Sequence, residues 1–149
     1  MMIAEDSVVV RASLDRVRDA VLDPDAYLAG GTKVSQIHLQ ERTPDGMVAR
    51  IDGSFGPFRS SILARYTVHP DHVDLQMVGP ARLRGFHAVF LFEEEPGGVR
   101  LTHREEYDFG YPLVTPLVER LMRGWAKRSV TAEVNALKSA AEAPRPPGP

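Results

Sequence analysis

The stretch FHAVFLFEEEPGGVRLTHREEYDF, residues 86–109, decides the fold. Its first part, FHAVFLF, is apolar on both faces and short, as a buried strand is. Pro96-Gly97-Gly98 then supplies a hairpin turn. In the second part alternate side chains fall on opposite faces. Thr102, Arg104, Glu106 and Asp108 form a wholly polar set and must face water. Leu101, His103, Glu105, Tyr107 and Phe109 therefore face the core. A histidine, a carboxylate and a phenol thus share one file, ~7 Å apart per step, on an otherwise apolar wall.

Working back towards the N-terminus, period-two runs recur at 34–42, 47–55, 58–68 and 73–77, separated by TPDG at 43–46, Gly56-Pro57, HPDH at 69–72 and Gly79-Pro80. Ahead of them DSVVVRA at 6–12 reads as a strand. Ser13 N-caps a helix through Leu14, Val17, Ala20 and Val21, which Asp23-Pro24 ends. Pro24 opens a second short helix closed by Gly30-Gly31. Beyond residue 110 the period becomes helical. Pro112 and Pro116 suit a first turn, and Val114, Leu117, Val118, Leu121, Met122, Trp125, Ala132, Val134, Ala136 and Leu137 form a broad apolar stripe. That helix runs ~25–30 residues, or ~40 Å, and must lie across something.

The expected architecture is α+β: strand, two short helices, six antiparallel strands and a long C-terminal helix. The seven-stranded sheet curls around that helix and leaves a cavity. Residues 1–143 read as one domain and 144–149 as a disordered proline-rich tail.

Composition narrows the function. The chain has 149 residues, 43% hydrophobic and 26% charged, with 18 Lys+Arg against 20 Asp+Glu and a net charge of −2. No basic field draws it to nucleic acid. It has no cysteine, so disulfides, thiolate metal sites and a cysteine nucleophile are excluded. Its longest apolar runs, about five residues, fall far short of the ~20 a membrane span needs. The acidic start is unlike a signal peptide, and a cytoplasmic protein is expected. HExxH, P-loop, GxSxG and GxGxxG motifs are missing. His69 and His72 with Asp71 and Asp74 are better explained as turn chemistry than as metal ligands. Neither cofactor nor metal is expected.

The opening VVVRASLDRVRDAVLDPDAY, the hairpin quoted above and the terminal amphipathic helix together resemble the START/Bet v 1-like (SRPBCC) helix-grip superfamily, over residues 8–142. That group includes polyketide cyclases, aromatases and carriers of lipids and quinones. Val17 stands where an aromatic is usual, Phe90 where a tryptophan is usual, and Ala88 where a glycine is usual. The resemblance implies an internal cavity for a hydrophobic small molecule, polyketide- or aromatic-like, with acid/base cyclisation and dehydration as the enzymatic option. A carrier of a lipid, quinone or fatty acyl chain, and an interaction module with a vestigial pocket, remain as alternatives.

The expected catalytic residues are His103, Glu105 and Tyr107, with Glu105 orienting or charging the histidine; burial raises the glutamate pKa and the histidine lowers it. Expected ligand contacts are Tyr66, Ser60, Tyr27, Phe90, Trp125 and Leu121. A β-bulge turning Glu105 outward, or an arginine partner at the sheet end, is the competing account. Arg59 falls on the outward phase; Arg82 and Arg84 sit at a strand entrance. Arg120, Arg123, Lys127 and Arg128 cluster around Trp125, either as a solvated face or as a contact with anionic lipid. Val89 and Leu91, on the outer face of their strand, make a candidate surface for a second copy.

Overall fold

The computed structural model describes residues 1–31, 33–55, 58–79, 83–110 and 112–144. Ten elements follow one another: β1 (Met2–Val10), α1 (Leu14–Val21), α2 (Pro24–Leu28), β2 (Val34–Thr43), β3 (Gly46–Phe55), β4 (Phe58–Val68), β5 (His72–Met77), β6 (Gly85–Glu95), β7 (Gly98–Asp108) and α3 (Thr115–Glu142). The strands form one antiparallel sheet in the order β1-β7-β6-β5-β4-β3-β2. This is the expected seven-stranded sheet with its long C-terminal helix. The tail beyond residue 144, the Gly56-Pro57 corner, Pro80 and Arg82 lie outside the described residues.

Local chemistry accounts for the boundaries. The Ser13 side chain accepts from the Arg16 amide at the start of α1, and Asp23 accepts from the Asp25 amide with Pro24 in the first turn of α2. β1 begins at Met2 rather than residue 6. Met2 and Ala4 bury against Ala126 and Val130 of α3, and the pull of that burial extends the strand backwards. At its other end β1 stops at Val10, because Ser13 is already committed to its cap.

α3 is tied to β1 and the residue after it at four points, one of them Lys127 donating to the Glu5 carbonyl at 2.5 Å. Thr131 donates to Asp6 at 2.6 Å, Lys138 donates to the Val9 carbonyl at 2.9 Å, and the Arg11 amide donates to Glu142 at 2.9 Å. Every buried residue of this helix falls between Ala126 and Ala141.

The register of β7 is unbroken on both sides, from Met2↔Tyr107 to Val10↔Val99 and from Gly85↔Asp108 to Glu95↔Gly98. No bulge turns Glu105 outward. Leu101, His103, Glu105, Tyr107 and Phe109 are all buried. β2, at the open edge of the sheet, has register shifts against β3 between Val34 and Gln36 and between Leu39 and Glu41. On the outer face of β6, Leu91 is exposed and Val89 half-buried. Among the described residues no helix is long and apolar enough to cross a membrane.

Candidate functional site

Between the concave face of the sheet and the helices lies a cavity of about 70 Å³. Ile51, Ile62, Leu75, Leu83, Phe86 and Ala88 give it apolar walls, and Tyr27, Ser60, Tyr66, Tyr107 and Lys33 contribute its polar groups. A wider groove of about 910 Å³ adjoins it, bordered by Gln36, Asp52, Arg59 and Ser61. Lys33, Val34, Gly53, Ser54 and Ser60 border both spaces.

Lys33 is placed by its backbone. Gly31, at φ 62°, takes the chain out of α2 in a left-handed conformation that glycine adopts without strain. The Ser54 amide then donates to the Lys33 carbonyl at 2.7 Å. Gly53 makes that approach possible, since a Cβ there would stand 2.2 Å from the same carbonyl oxygen. From this anchor the side chain, 9% exposed, crosses to the far wall.

There it joins a buried cluster drawn from three elements and the α2–β2 connection. The Lys33 ammonium donates to both oxygens of Glu105 and, at 3.3 Å, to the Tyr107 hydroxyl. It lies 2.9 Å from Glu133 Oε1, an ion pair without the angle of a hydrogen bond. His103 Nε2 stands 2.9 Å from Glu105 Oε1 and 3.0 Å from Glu133 Oε2, while Nδ1 meets the Val89 carbonyl oxygen at 3.3 Å. Tyr27 donates to Glu133 Oε2 at 2.6 Å, and Tyr107 donates to Glu105 Oε2. Phe90 of β6 stacks on the His103 ring at 4.1 Å, and Tyr27 meets both rings edge-on.

The two opposed effects expected for Glu105 are joined by a third, the Lys33 charge. Burial raises its pKa, but the Lys33 charge and the His103 hydrogen bond and charge outweigh burial and hold the carboxyl well below its usual range. Burial pulls His103 down, yet its hydrogen bonds to Glu105 and Glu133 and their charges push it up to about 9. Lys33 is likewise held above its ordinary value, the two glutamates outweighing its desolvation. Burial, then the neighbouring carboxylates, raises Tyr27, Tyr66 and Tyr107. At neutral pH the cluster therefore balances two cations with two carboxylates. His103, Glu105 and Glu133 offer ligand atoms within 4.8 Å of one another, a donor set able to hold a divalent ion. In this arrangement Lys33 itself supplies the cation between the carboxylates.

Of the residues expected from sequence, Tyr27, Ser60, Tyr66 and Tyr107 line the cavity. His103, Glu105 and Phe90 lie behind its wall, fully buried. Trp125 packs, partly buried, in a cluster with Met2, Tyr107 and Phe109. Leu121 is 71% exposed and outside the lining, because at these turns Val118 and Met122 are the side chains that pack on the core. Arg59 borders the outer groove, and Arg84 stands 3.6 Å from Asp108. Sequence reasoning missed Lys33 and Glu133. For Glu133 a signal existed, since it occupies the helical spacing of Ala126, Val130 and Leu137 inside the apolar stripe.

Comparison with known proteins now fits this geometry. The family model described as polyketide cyclase / dehydrase and lipid transport matches residues 1–142. The chain belongs to this family. Its structural neighbours are START/Bet v 1-like proteins and aromatase/cyclases. A protein from Thermus thermophilus superposes with TM-score 0.81 at 13% identity, over 93% of this chain and 96% of that one. The Zhui aromatase/cyclase from Streptomyces sp. R1128 gives 0.75 at 15% identity, over 94% and 93%. A STAR-related lipid transfer protein from Xanthomonas axonopodis gives 0.73 at 17% identity, over 93% and 85%. At these identities the likeness is one of fold. No curated protein sequence matches the chain.

Proposed function

We propose that this family member binds a hydrophobic, polyketide- or aromatic-like small molecule carrying oxygen, with its apolar body against Ile51, Ile62, Leu75 and Phe86 and an oxygen at Ser60 and Tyr66. One observation carries the reading: the buried Ser60 hydroxyl is unsatisfied on the wall of the apolar cavity that Tyr66 also lines. Among the described residues Ser60 Oγ has no hydrogen-bond partner, and the Tyr66 side chain, 2% exposed, stands on the same wall. Buried polar groups are nearly always paired, so an unpaired hydroxyl on a cavity wall calls for a ligand or water. A drug-sized ligand needs ~300–1,000 Å³, so it spans the cavity and the outer groove, with Lys33 and Ser60 at their junction.

Binding comes before chemistry in this reading. An aldol cyclisation needs a carbonyl polarised and an α-proton removed. Lys33 and Tyr107 are suited to the first task, as an ammonium and a phenol at the cavity wall. His103 is poorly suited to the second, because its pKa of about 9 keeps it protonated at neutral pH and both its nitrogens are engaged. The carrier alternative gains from that.

The test is native mass spectrometry of the purified protein for a co-purifying molecule, followed by fluorescence titration with a hydroxylated anthraquinone. Tyr66→Phe and Ser60→Ala should each weaken binding about tenfold while leaving the unfolding midpoint in place. Unchanged affinity in both variants, or no binding by the wild type, overturns the proposal.

A further inference from the structure

The first turns of α3 and the residues before them leave a row of apolar side chains in water. Leu113 is 96% exposed, Leu117 60% and Leu121 71%, and Val114 is exposed beside them. Val114, Leu117 and Leu121 recur at helical spacing, so they share one face. The adjoining side of the same turns, through Val118 and Met122, packs on the core. The helix is therefore held in place by one side while the other projects.

Bases accompany this row. Residues 112–131 hold Arg120, Arg123, Lys127 and Arg128 against the single acid Glu119, in a chain whose net charge is −2. Glu119 is engaged 2.9 Å from the N-terminal amine. All four bases are exposed, and among the described residues Arg120 and Arg123 have no ionic partner.

We propose that this end of α3 docks on an anionic lipid surface, with Leu113, Leu117 and Leu121 at the acyl boundary and Arg120 and Arg123 at the phosphates. Protruding leucines beside long basic side chains fit an interface that is apolar below and negative above. A second copy fits less well, because a two-fold contact through this patch would set its arginines against the same arginines. This inference is independent of the pocket reading and stands or falls on its own residues.

Vesicle co-sedimentation decides it. The full chain is mixed with vesicles of phosphatidylcholine alone and of phosphatidylcholine with phosphatidylglycerol. It should be retained on the second kind only, and less so as salt rises. Leu117→Asp should lower the partition constant about tenfold, and Arg120→Glu or Arg123→Glu about fivefold each, with unchanged thermal unfolding because these side chains are exposed. No retention on the anionic vesicles, or equal retention of L117D, overturns the proposal. So does a dimer in sedimentation velocity that L117D disperses, which would make the face a self-contact. Retention by an acidic protein but not by anionic vesicles overturns it too.

Discussion

The two ends of α3 differ as an inside differs from an outside, although both carry the apolar stripe. From Ala126 onward the helix lies on β1 and the short helices and buries seven side chains, one of them Glu133. Before Ala126 it buries none completely, and Leu117 and Leu121 stand in water. Apolar character is therefore a poor guide to burial along this helix. A glutamate is hidden at 2% exposure while two leucines are not. What decides is how much of each turn the other elements cover and whether a buried charge finds partners.

The sharpest way to break this contrast is to remove the buried acid. Glu133→Ala should cost about 3–5 kcal/mol in chemical denaturation, since it leaves Lys33 and His103 with one carboxylate between them. Glu133→Gln should recover part of the loss by keeping the Tyr27 contact. Next is Lys33→Met, which leaves two buried carboxylates facing one histidine. It should cost about 2–4 kcal/mol by the same measurement, and His103 should then stay protonated.

A smaller effect is the pH dependence. The His103 pKa rises on folding from 6.5 to about 9, so its contribution is complete below pH 6.5 and is lost as pH climbs through 9. Glu105 has the opposite sign. Its pKa falls on folding from 4.5, so its contribution is present above pH 4.5 and is lost as pH drops below that. The unfolding midpoint should be highest between these limits, and its alkaline decline should flatten in His103→Phe. The smallest effect belongs to the exposed end, where Leu117→Ser and Leu121→Ser should each shift stability by no more than about 0.5 kcal/mol.

Much of the fold was legible because it rests on periodicity. The alternation in β7 placed His103, Glu105 and Tyr107 on the inner face, where the unbroken register keeps them. The site was legible only in part. Lys33 meets Glu105 across 72 positions of sequence, and no local pattern marks a lysine in a connection as the partner of a carboxylate on the last strand. Glu133 sat in the right spacing, but a charged residue in a stripe reads as a solvated interruption unless a buried cation is already known. Leu121 was assigned to the cavity because the stripe looked continuous. Periodicity reports which side of a helix is apolar, and leaves open how much of a broad stripe its neighbours cover at each turn.

The shifted register of β2 has a consequence for how the molecule behaves in a crowd. An open sheet invites further strands at its free edge, and a straight ladder there would seed polymers of the chain. On β2 the longest unbroken run is Gln36 to Leu39, too short to template a stable intermolecular strand, and Glu41 and Arg42 follow it. The irregular border thus acts as a terminator of growth, letting the sheet stay open on one side without becoming the nucleus of a fibre.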